Sequence, residues 1–328
     1  MIALELFAGC GGAALGIESA GFAHAGLVEI DRDACSTMRA ARHKPVVQTD
    51  VRNLTRIDLA VRGRPIDLLW SSFPCQAWSV AGQRRGAKDR RNGWPWTVRA
   101  VDRYKPRWLL AENVVGLTHH ASAGHPSPEA CPRCYFETVI LGDLRDRFEH
   151  VGWWVLNAAD YGVPQRRKRV IIWAGPAPLR RPEPTHADPS TLEQAGLFGQ
   201  KVVPWVSMAE ALGVPPESCA STGSHRHGRP VIPVVGPSPT IRANMGKFAA
   251  VWTMAGTPFI DGPERRRLTV REAARLQDFP DDYPWRGPIR AQYRQIGNAV
   301  PPRLAEVVAR AVVEAESLDR ELSTGGEV

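Results

Sequence analysis

The stretch Leu4-Glu5-Leu6-Phe7-Ala8-Gly9-Cys10-Gly11-Gly12 decides how the rest of the chain is read. Its apolar opening reads as a strand, its glycines as a tight loop, and Ala13 to Ala20 as the helix that the loop opens. Gly21-Phe22 closes that helix, and His24 to Ile30 forms a second strand finishing in Glu29. A carboxylate about 20 residues beyond a glycine loop is the arrangement in which an acidic side chain grips ribose hydroxyls. The unit predicts an α/β fold that binds a nucleoside-containing cofactor. Gly9, Gly11 and Ala14 also map onto the dinucleotide fingerprint, so a nicotinamide enzyme stands as a rival, although nothing downstream resembles a hydride-transfer site.

Outward from this unit the strand and helix rhythm continues. Val46 to Val51 reads as a strand ending in Asp50, a carboxylate placed either to accept from an adenine amino group or to cap a helix at Arg52-Asn53-Leu54. The apolar run Ile66 to Trp70 delivers Ser71-Ser72-Phe73-Pro74-Cys75-Gln76 just past a strand's carboxyl end, the edge at which open α/β sheets bind ligands. Pro74 stiffens that turn and biases Phe73 toward an extended conformation. A lone cysteine is most often a small buried residue. Here its companions favour chemistry. Arg84, Arg85, Lys88, Arg90 and Arg91 crowd among Gly82, Gly86 and Gly93, a basic loop placed to close over a phosphate backbone. A helix from Trp94 through Arg103 and a strand Arg107 to Ala111 lead to Glu112-Asn113-Val114, which puts Glu112 in the same crevice as Cys75. A helix over about Glu137 to Phe148 and a strand Trp153 to Val155 precede Gln165-Arg166-Arg167-Lys168-Arg169 and the strand Val170 to Trp173. Period-two alternation points Arg167 and Arg169 to one side.

Composition narrows the class. The 328 residues suffice for one large α/β domain and a smaller companion, and 43% hydrophobic with 23% charged content describes an ordinary globular chain. No apolar run approaches bilayer length and the chain opens directly on a strand pattern, so a cytoplasmic protein without a membrane partner is expected. Six cysteines without a framework pattern suit a reducing compartment. A net charge of +8, mostly from arginine, favours a nucleic-acid partner. His119, His120 and His125 followed by Cys131-Pro132-Arg133-Cys134 make half of a zinc motif, with Cys131, Cys134, His119 and His125 the candidate ligands. A half-motif points first to a metal-free loop, and no metal is expected. From Gly175-Pro176 to about Pro263 the rhythm is lost among prolines and glycines, which reads as a separate loop-rich unit. It returns at Arg267-Leu268-Thr269, where Thr269 and Glu272 fit a capping box. Gln295-Ile296-Gly297-Asn298-Ala299 then opens the last helix, Leu304 to about Ala315.

Taken together, Phe7 through Gly12, Asp67 through Gln76, Glu112-Asn113-Val114, Gln165 through Arg169, Arg267 through Pro280 and Gln295 through Asn298 resemble the ordered motifs of the DNA (cytosine-5)-methyltransferases of restriction-modification type. The resemblance implies a Rossmann-like, S-adenosylmethionine-dependent methyltransferase fold. Residues 1–177 would form the catalytic domain, completed by 290–328, with 178–289 as target-recognition domain and hinge. It implies that the last helix packs beside the first. It also carries roles. Cys75 would add as a thiolate to carbon 6 of a flipped-out cytosine, Glu112 would hold N3 and the exocyclic amine, Arg169 would donate to O2, and Arg167, counted with these catalytic residues, would support the loop and its phosphate contacts. Phe7, Gly9, Gly11 and Gly12 fall at the two ends of S-adenosylmethionine, Glu29 at the ribose, Ile30, Asp50 and Val51 at the adenine, with Pro74, Asn298 and Ala299 on the remaining wall. Gln76, Arg84, Arg85, Gln165, Arg226, Arg229 and Arg242 are the expected contacts to double-stranded DNA. Trp78, Val270 and Ala299 depart from the common pattern, which touches local packing. The family's transfer-RNA branch and a catalytically idle DNA-binding relative are the alternatives; the long irregular segment bearing Arg226, Arg229 and Arg242 fits a duplex reader better. A monomer, and a restriction endonuclease acting on the same site without stable association, complete the expectation.

Overall fold

Short apolar runs build the main sheet: β1 Ile2–Leu6, β2 Ala23–Glu29, β3 Val46–Gln48, β4 Leu68–Ser71, β5 Trp108–Val114, β6 His150–Asn157 and β7 Lys168–Gly175. A computed structural model of the chain describes residues 1–74, 91–120, 131–192, 202–216, 218–221, 232–243, 250–252 and 266–324. The seven strands lie in the order β3-β2-β1-β4-β5-β7-β6. The first five run parallel, and β7 lies antiparallel to both β5 and β6. Strand order reverses between β1 and β4, so the crevice beyond their carboxyl ends is the position where such sheets bind ligands.

Both faces of the central strands are covered, which is why they read as largely apolar runs, with the buried Glu5 and His24 as exceptions. The helices that follow the parallel strands are α1 Gly12–Ser19, α2 Arg32–Ala40, α3 Leu54–Val61 and α4 Trp94–Tyr104. Alternate strand residues Leu4, Leu69, Leu109 and Ile172 pack on one face with Ile57 of α3 and Val101 of α4. Their neighbours Ala3, Trp70, Leu110 and Ile171 pack on the other with Ile17 of α1 and Val308 of the final helix, Pro302–Thr324. That last helix returns beside α1 as expected. Gly16 makes the approach: a Cβ there would lie 2.2 Å from the Pro302 carbonyl oxygen. Glu316 fastens the other end, accepting from the buried Trp108 indole at 2.6 Å and pairing with Arg107.

Several boundaries differ from those read in the sequence. The stretch thought to open the last helix is a separate helix, Ile289–Asn298, and the last one, Pro302–Thr324, is about three turns longer than expected. The helix expected from Glu137 begins at Pro132; it runs as Pro132–Tyr135, a π-helical turn Phe136–Ile140 and Leu141–Arg145. Asn53, not Asp50, caps α3, accepting from Arg56 N. The Thr269–Glu272 capping box is present. Within the loop-rich region, Ile232–Pro233, Cys219–Ser221, Ala250–Trp252 and Arg266–Arg267 form a small antiparallel sheet. Met208, Ile241, Leu268, Phe279 and Ile296 share one core cluster with Cys10 of the glycine loop. No described helix is long and apolar enough to cross a membrane.

Candidate active site

The glycine loop is shaped by backbone conformations that side chains resist. Gly9 and Gly11 have φ of +56° and +90°, and Phe7 itself sits at +58°, a conformation that costs a residue with a Cβ about 1–2 kcal/mol. Glu29 at the end of β2 offsets that strain. Its carboxylate accepts from Gly9 N at 2.7 Å, Ile30 N at 2.8 Å and Asp31 N at 2.7 Å. Burial pushes the Glu29 carboxyl above its ordinary value, and these three donors oppose the shift. A carboxylate has room for more than three donors, so a hydroxyl facing it remains within its capacity.

Against this loop lies a cavity of about 270 Å³. Phe7, Glu29, Ile30, Asp50, Val51 and Pro74 line it, all of them expected there. Ile30 is 65% exposed, an apolar side chain turned to the cavity with nothing over it among the described residues. Asp50 is engaged by Arg52 through both its backbone N–H, at 2.9 Å, and its guanidinium, at 2.6 Å. Asn92, Gly93 and Trp96 complete the wall and were missed in the sequence. The Trp-Pro-Trp segment signalled only a helix start; its place at the cavity depends on Gly93, where a Cβ would meet Pro74 at 2.7 Å and Phe7 at 2.8 Å. On the opposite side Gly12 lies against the chain at 299–300, since a Cβ there would be 2.3 Å from the Val300 carbonyl oxygen. Ala299 is buried and Asn298 exposed. Neither borders the cavity beside Ile30.

Behind the loop lies a buried ionic cluster that sequence reading did not find. His24 sits 3.6 Å from Glu5 and 3.4 Å from Glu18, while His43 is 3.0 Å from Glu18. Burial alone would lower the His24 pKa, but the two carboxylates carry it up to about 9. Burial would likewise raise Glu18, and the imidazoles hold it down to about 2. Tyr283 spans from this cluster to the loop, donating to the Cys10 carbonyl and lying 3.3 Å from His43.

The chemical end of the crevice is formed by β4, β5 and β7. Ser71 at the end of β4 bonds Thr97 of α4 at 2.8 Å, and the Phe73 carbonyl accepts from Asn113 of β5 at 3.0 Å. The turn that leads from Phe73 through Pro74 is thus held from both sides. Cys75 and Gln76 follow it and lie outside the described residues, as do Arg84, Arg85, Arg226, Arg229 and His125. Next to the turn, Glu112 of β5 and Arg169 of β7 are 8% exposed and joined by a 2.7 Å ion pair. Cys10 and Cys35, by contrast, are buried thiols whose pKa values burial pushes up, Cys35 to about 12, so neither is a ready thiolate.

Gln165, expected at DNA, and Arg167, expected to support the loop and its phosphate contacts, are both placed inside the protein. Gln165 is fully buried; its amide donates to the Leu276 carbonyl at 2.9 Å and to Gln277, and its oxygen accepts from Ile241 N at 2.9 Å. Arg167 is 2% exposed and donates to the carbonyls of Ile241, Gly297 and Ala299 at 3.0, 3.1 and 2.8 Å. It does not lie with Arg169 in the crevice, and a phosphate cannot reach it there. Arg242 is exposed. Of the expected zinc ligands, Cys131 and Cys134 come together with His120 rather than His119.

A seven-stranded sheet with an antiparallel β7, a glycine loop after β1 and an acidic residue ending β2 define the Rossmann-like fold of S-adenosylmethionine-dependent methyltransferases. Residues 1–196 and 216–314 match the model of the C-5 cytosine-specific DNA methylases, and the chain belongs to that family. It is accordingly a DNA cytosine-5 methyltransferase. It is 33% identical over 336 residues to the Type II methyltransferase M.NaeI of Lentzea aerocolonigenes, covering 97% of this chain and 76% of that one. Identity to the Type II methyltransferase M.NgoMIV of Neisseria gonorrhoeae is also 33%, over 340 residues, 95% of this chain and 97% of the relative. Among solved structures the S. pombe Dnmt2 methyltransferase superposes with a TM-score of 0.64 at 16% identity, covering 96% of this chain and 99% of that one, a likeness of fold alone.

Proposed function

We propose that this chain methylates carbon 5 of a cytosine rotated out of a specific duplex DNA sequence, with Cys75 as covalent nucleophile. The observation that carries the reading is the buried Glu112–Arg169 pair beside the Phe73–Pro74 turn, at the sheet edge next to the cavity. S-adenosylmethionine, when bound, supplies a methyl group activated by a positively charged sulfur. The residues present fit such a group. A Cβ on Gly9 would meet nothing within 4 Å, so the loop leaves space at that point, and the uncovered Ile30 offers an apolar face for a purine. Glu29 would hold the ribose hydroxyls, Phe7, Asp50, Val51 and Pro74 would enclose the base, and Gly11, Gly12, Asn298 and Ala299 would back the opposite end.

Cytosine carbon 5 is a weak nucleophile in the intact ring. Addition of the Cys75 thiolate to carbon 6 forms an S–C bond and moves the ring's electron pair toward carbon 5. Glu112, which takes up a proton from solvent as the base displaces Arg169 from it, passes that proton to N3 so that negative charge does not accumulate, and Arg169 donates to O2. Their present ion pair keeps both polar groups satisfied until a base arrives to share them. A base inside the stack cannot reach this crevice, so the target leaves the duplex at a cost of a few kcal/mol, recovered through backbone contacts. Carbon 5 uses the ring's electron pair to take the methyl group, leaving the pair of the broken S–C bond on the donor's sulfur as a neutral thioether; a base, water in the simplest case, then takes the carbon 5 proton and the Cys75 sulfur departs as thiolate. Residues 178–289 then serve as the reader of sequence and 1–177 with 290–328 as the catalytic body, and Arg242 is available to DNA.

Duplex DNA carrying 5-fluorocytosine at the target should trap a covalent complex that Cys75→Ser does not form, while the variant still binds S-adenosylmethionine. Labelling of transfer RNA in preference to duplex DNA in a side-by-side assay would overturn the substrate, and a trapped complex with Cys75→Ser would overturn the nucleophile.

A further inference from the structure

Beyond β5 the chain makes a short 3-10 turn, Val115–Thr118, reaches His120, and resumes at Cys131, which precedes the helix beginning at Pro132. The ligand atoms of His120, Cys131 and Cys134 all lie within 4.8 Å of one another. His120 Nδ1 is 3.6 Å from Cys131 Sγ. With Zn–S of about 2.3 Å and Zn–N of about 2.0–2.1 Å, the edge of a tetrahedron between a sulfur and a nitrogen is about 3.6 Å, and between two sulfurs about 3.8 Å. The observed separation matches the edge expected for two ligands on one zinc ion, and equally a thiol–imidazole hydrogen bond. Cys131 is fully buried, Cys134 is half-buried and His120 is exposed, so the cluster opens outward on the imidazole side.

We propose that His120, Cys131 and Cys134 bind a zinc ion that joins the two ends of the segment 120–131 into a structural knuckle. Two thiolates and an imidazole are a donor set that selects zinc over magnesium or calcium, whose preference is oxygen. Water or a further side chain outside this trio takes the fourth position. The local backbone is built around the pair of cysteines. Cys131 has an extended backbone and Pro132 stands at the first helical position, which turns the chain so that Cys134 follows one helical turn later. The π-helical turn Phe136–Ile140 comes directly after it, inserting extra chain between the cysteines and the Leu141–Arg145 helix. That insertion lets Phe136 and Ile140 enter the core while Cys134 stays at the rim. The knuckle also bears on the cavity described above: the Tyr135 hydroxyl, one residue past Cys134, accepts from Asn92 at 2.8 Å, and Asn92 lines that cavity. The metal is structural in this reading, and the assignment is independent of the methyl-transfer chemistry.

The test is made on the full-length protein purified with reductant and without added chelator. Mass-spectrometric metal analysis should find about one zinc per chain. Cobalt(II) exchanged into the protein should give tetrahedral d–d bands and a thiolate-to-metal charge-transfer band. Cys131→Ser with Cys134→Ser should lose both. Because the buried Cys131 contributes to the core, His120→Ala provides the second arm. That exposed side chain can be removed without a cavity, and the variant should keep its circular dichroism while its zinc affinity falls at least about 10-fold. A reduced wild-type protein that neither retains zinc nor develops a thiolate charge-transfer band with cobalt overturns the proposal. So does unchanged zinc affinity in His120→Ala, or unchanged cobalt spectra in the double cysteine variant.

Discussion

Replacing Arg167 with methionine separates a structural cation from a nucleic-acid contact. The guanidinium donates to three backbone carbonyls drawn from different parts of the chain, Ile241 in the loop-rich region and Gly297 and Ala299 at the end of the Ile289–Asn298 helix. Hydrogen bonds from a charged donor contribute about 1.5–3 kcal/mol each, and three of them set an upper range of about 4–9 kcal/mol. Removing the cation also removes the cost of burying it, which offsets part of that sum, so a net loss of about 3–5 kcal/mol is expected. With an unfolding entropy of about 2.1 cal/mol/K per residue, a chain of 328 residues loses roughly 1.5 °C of Tm per kcal/mol, and Arg167→Met should melt about 4–7 °C lower. Differential scanning calorimetry reads that shift. The second readout is the slope of log K against log salt for duplex DNA, whose magnitude falls by about 0.9 for each phosphate that the protein ceases to neutralise. The buried position of Arg167 requires that the slope stay unchanged. A slope reduced by about one unit with Tm within about 1 °C of wild type would show that Arg167 touches phosphate and that its buried position is wrong.

The same geometry gives four further expectations. Gly12→Ala should lower Tm by about 2–5 °C, because its Cβ would press on the Val300 carbonyl and overpacking of this kind costs about 1–3 kcal/mol. Gly9→Ala meets no neighbour but adds a Cβ at φ +56°, which costs about 1–2 kcal/mol and lowers Tm by about 1.5–3 °C, and isothermal titration should show S-adenosylmethionine affinity falling by more than that strain accounts for; wild-type affinity would remove Gly9 from the site. Glu112→Gln keeps an oxygen for Arg169 but cannot lend a proton to N3, and its kcat should drop about 10²–10⁴-fold with DNA affinity changed little; a rate within about threefold of wild type would exclude that role. Stability should also depend on pH through His24. Its folded pKa, about 9, is raised above 6.5, so its contribution is complete below about pH 6.5 and is lost as pH rises through 9. That shift corresponds to about 3 kcal/mol, or about 5 °C, and the Tm gap between wild type and His24→Gln should shrink accordingly from about pH 7 to about pH 10. A constant gap would mean that His24 is not protonated beside Glu5 and Glu18.

Much of the fold was legible because its signals are local. A strand buried on both faces is apolar at most positions, and a loop that turns through positive φ favours glycine, so Leu4 through Gly12 and Ile66 through Trp70 announce themselves despite Glu5, Phe7 and Asp67. Glu29 and Asp50 could be read at one edge because each ends or follows a parallel strand, and such ends share an edge of the sheet, while Ile30, Val51 and Pro74 were carried to the same cavity by the family resemblance. The capping box at Thr269 and Glu272 is likewise complete within four residues.

What the sequence by itself determined is the order of the strands' chemistry: a glycine loop, an acid, a cysteine turn, a second acid and an arginine strand. Only tertiary structure decided where cations and histidines from distant segments came to rest. Arg167 and Arg169 are two residues apart and both positively charged, yet one is spent on three carbonyls contributed from beyond residue 240 while the other meets Glu112. Nothing within the local run distinguishes them. His120 rather than His119 joins the cysteines for the same reason, since which imidazole reaches a partner is set by the path of the backbone after β5. His24 meets Glu5 and Glu18 because adjacent parallel strands and the helix between them converge there, a proximity that exists only once the sheet has formed.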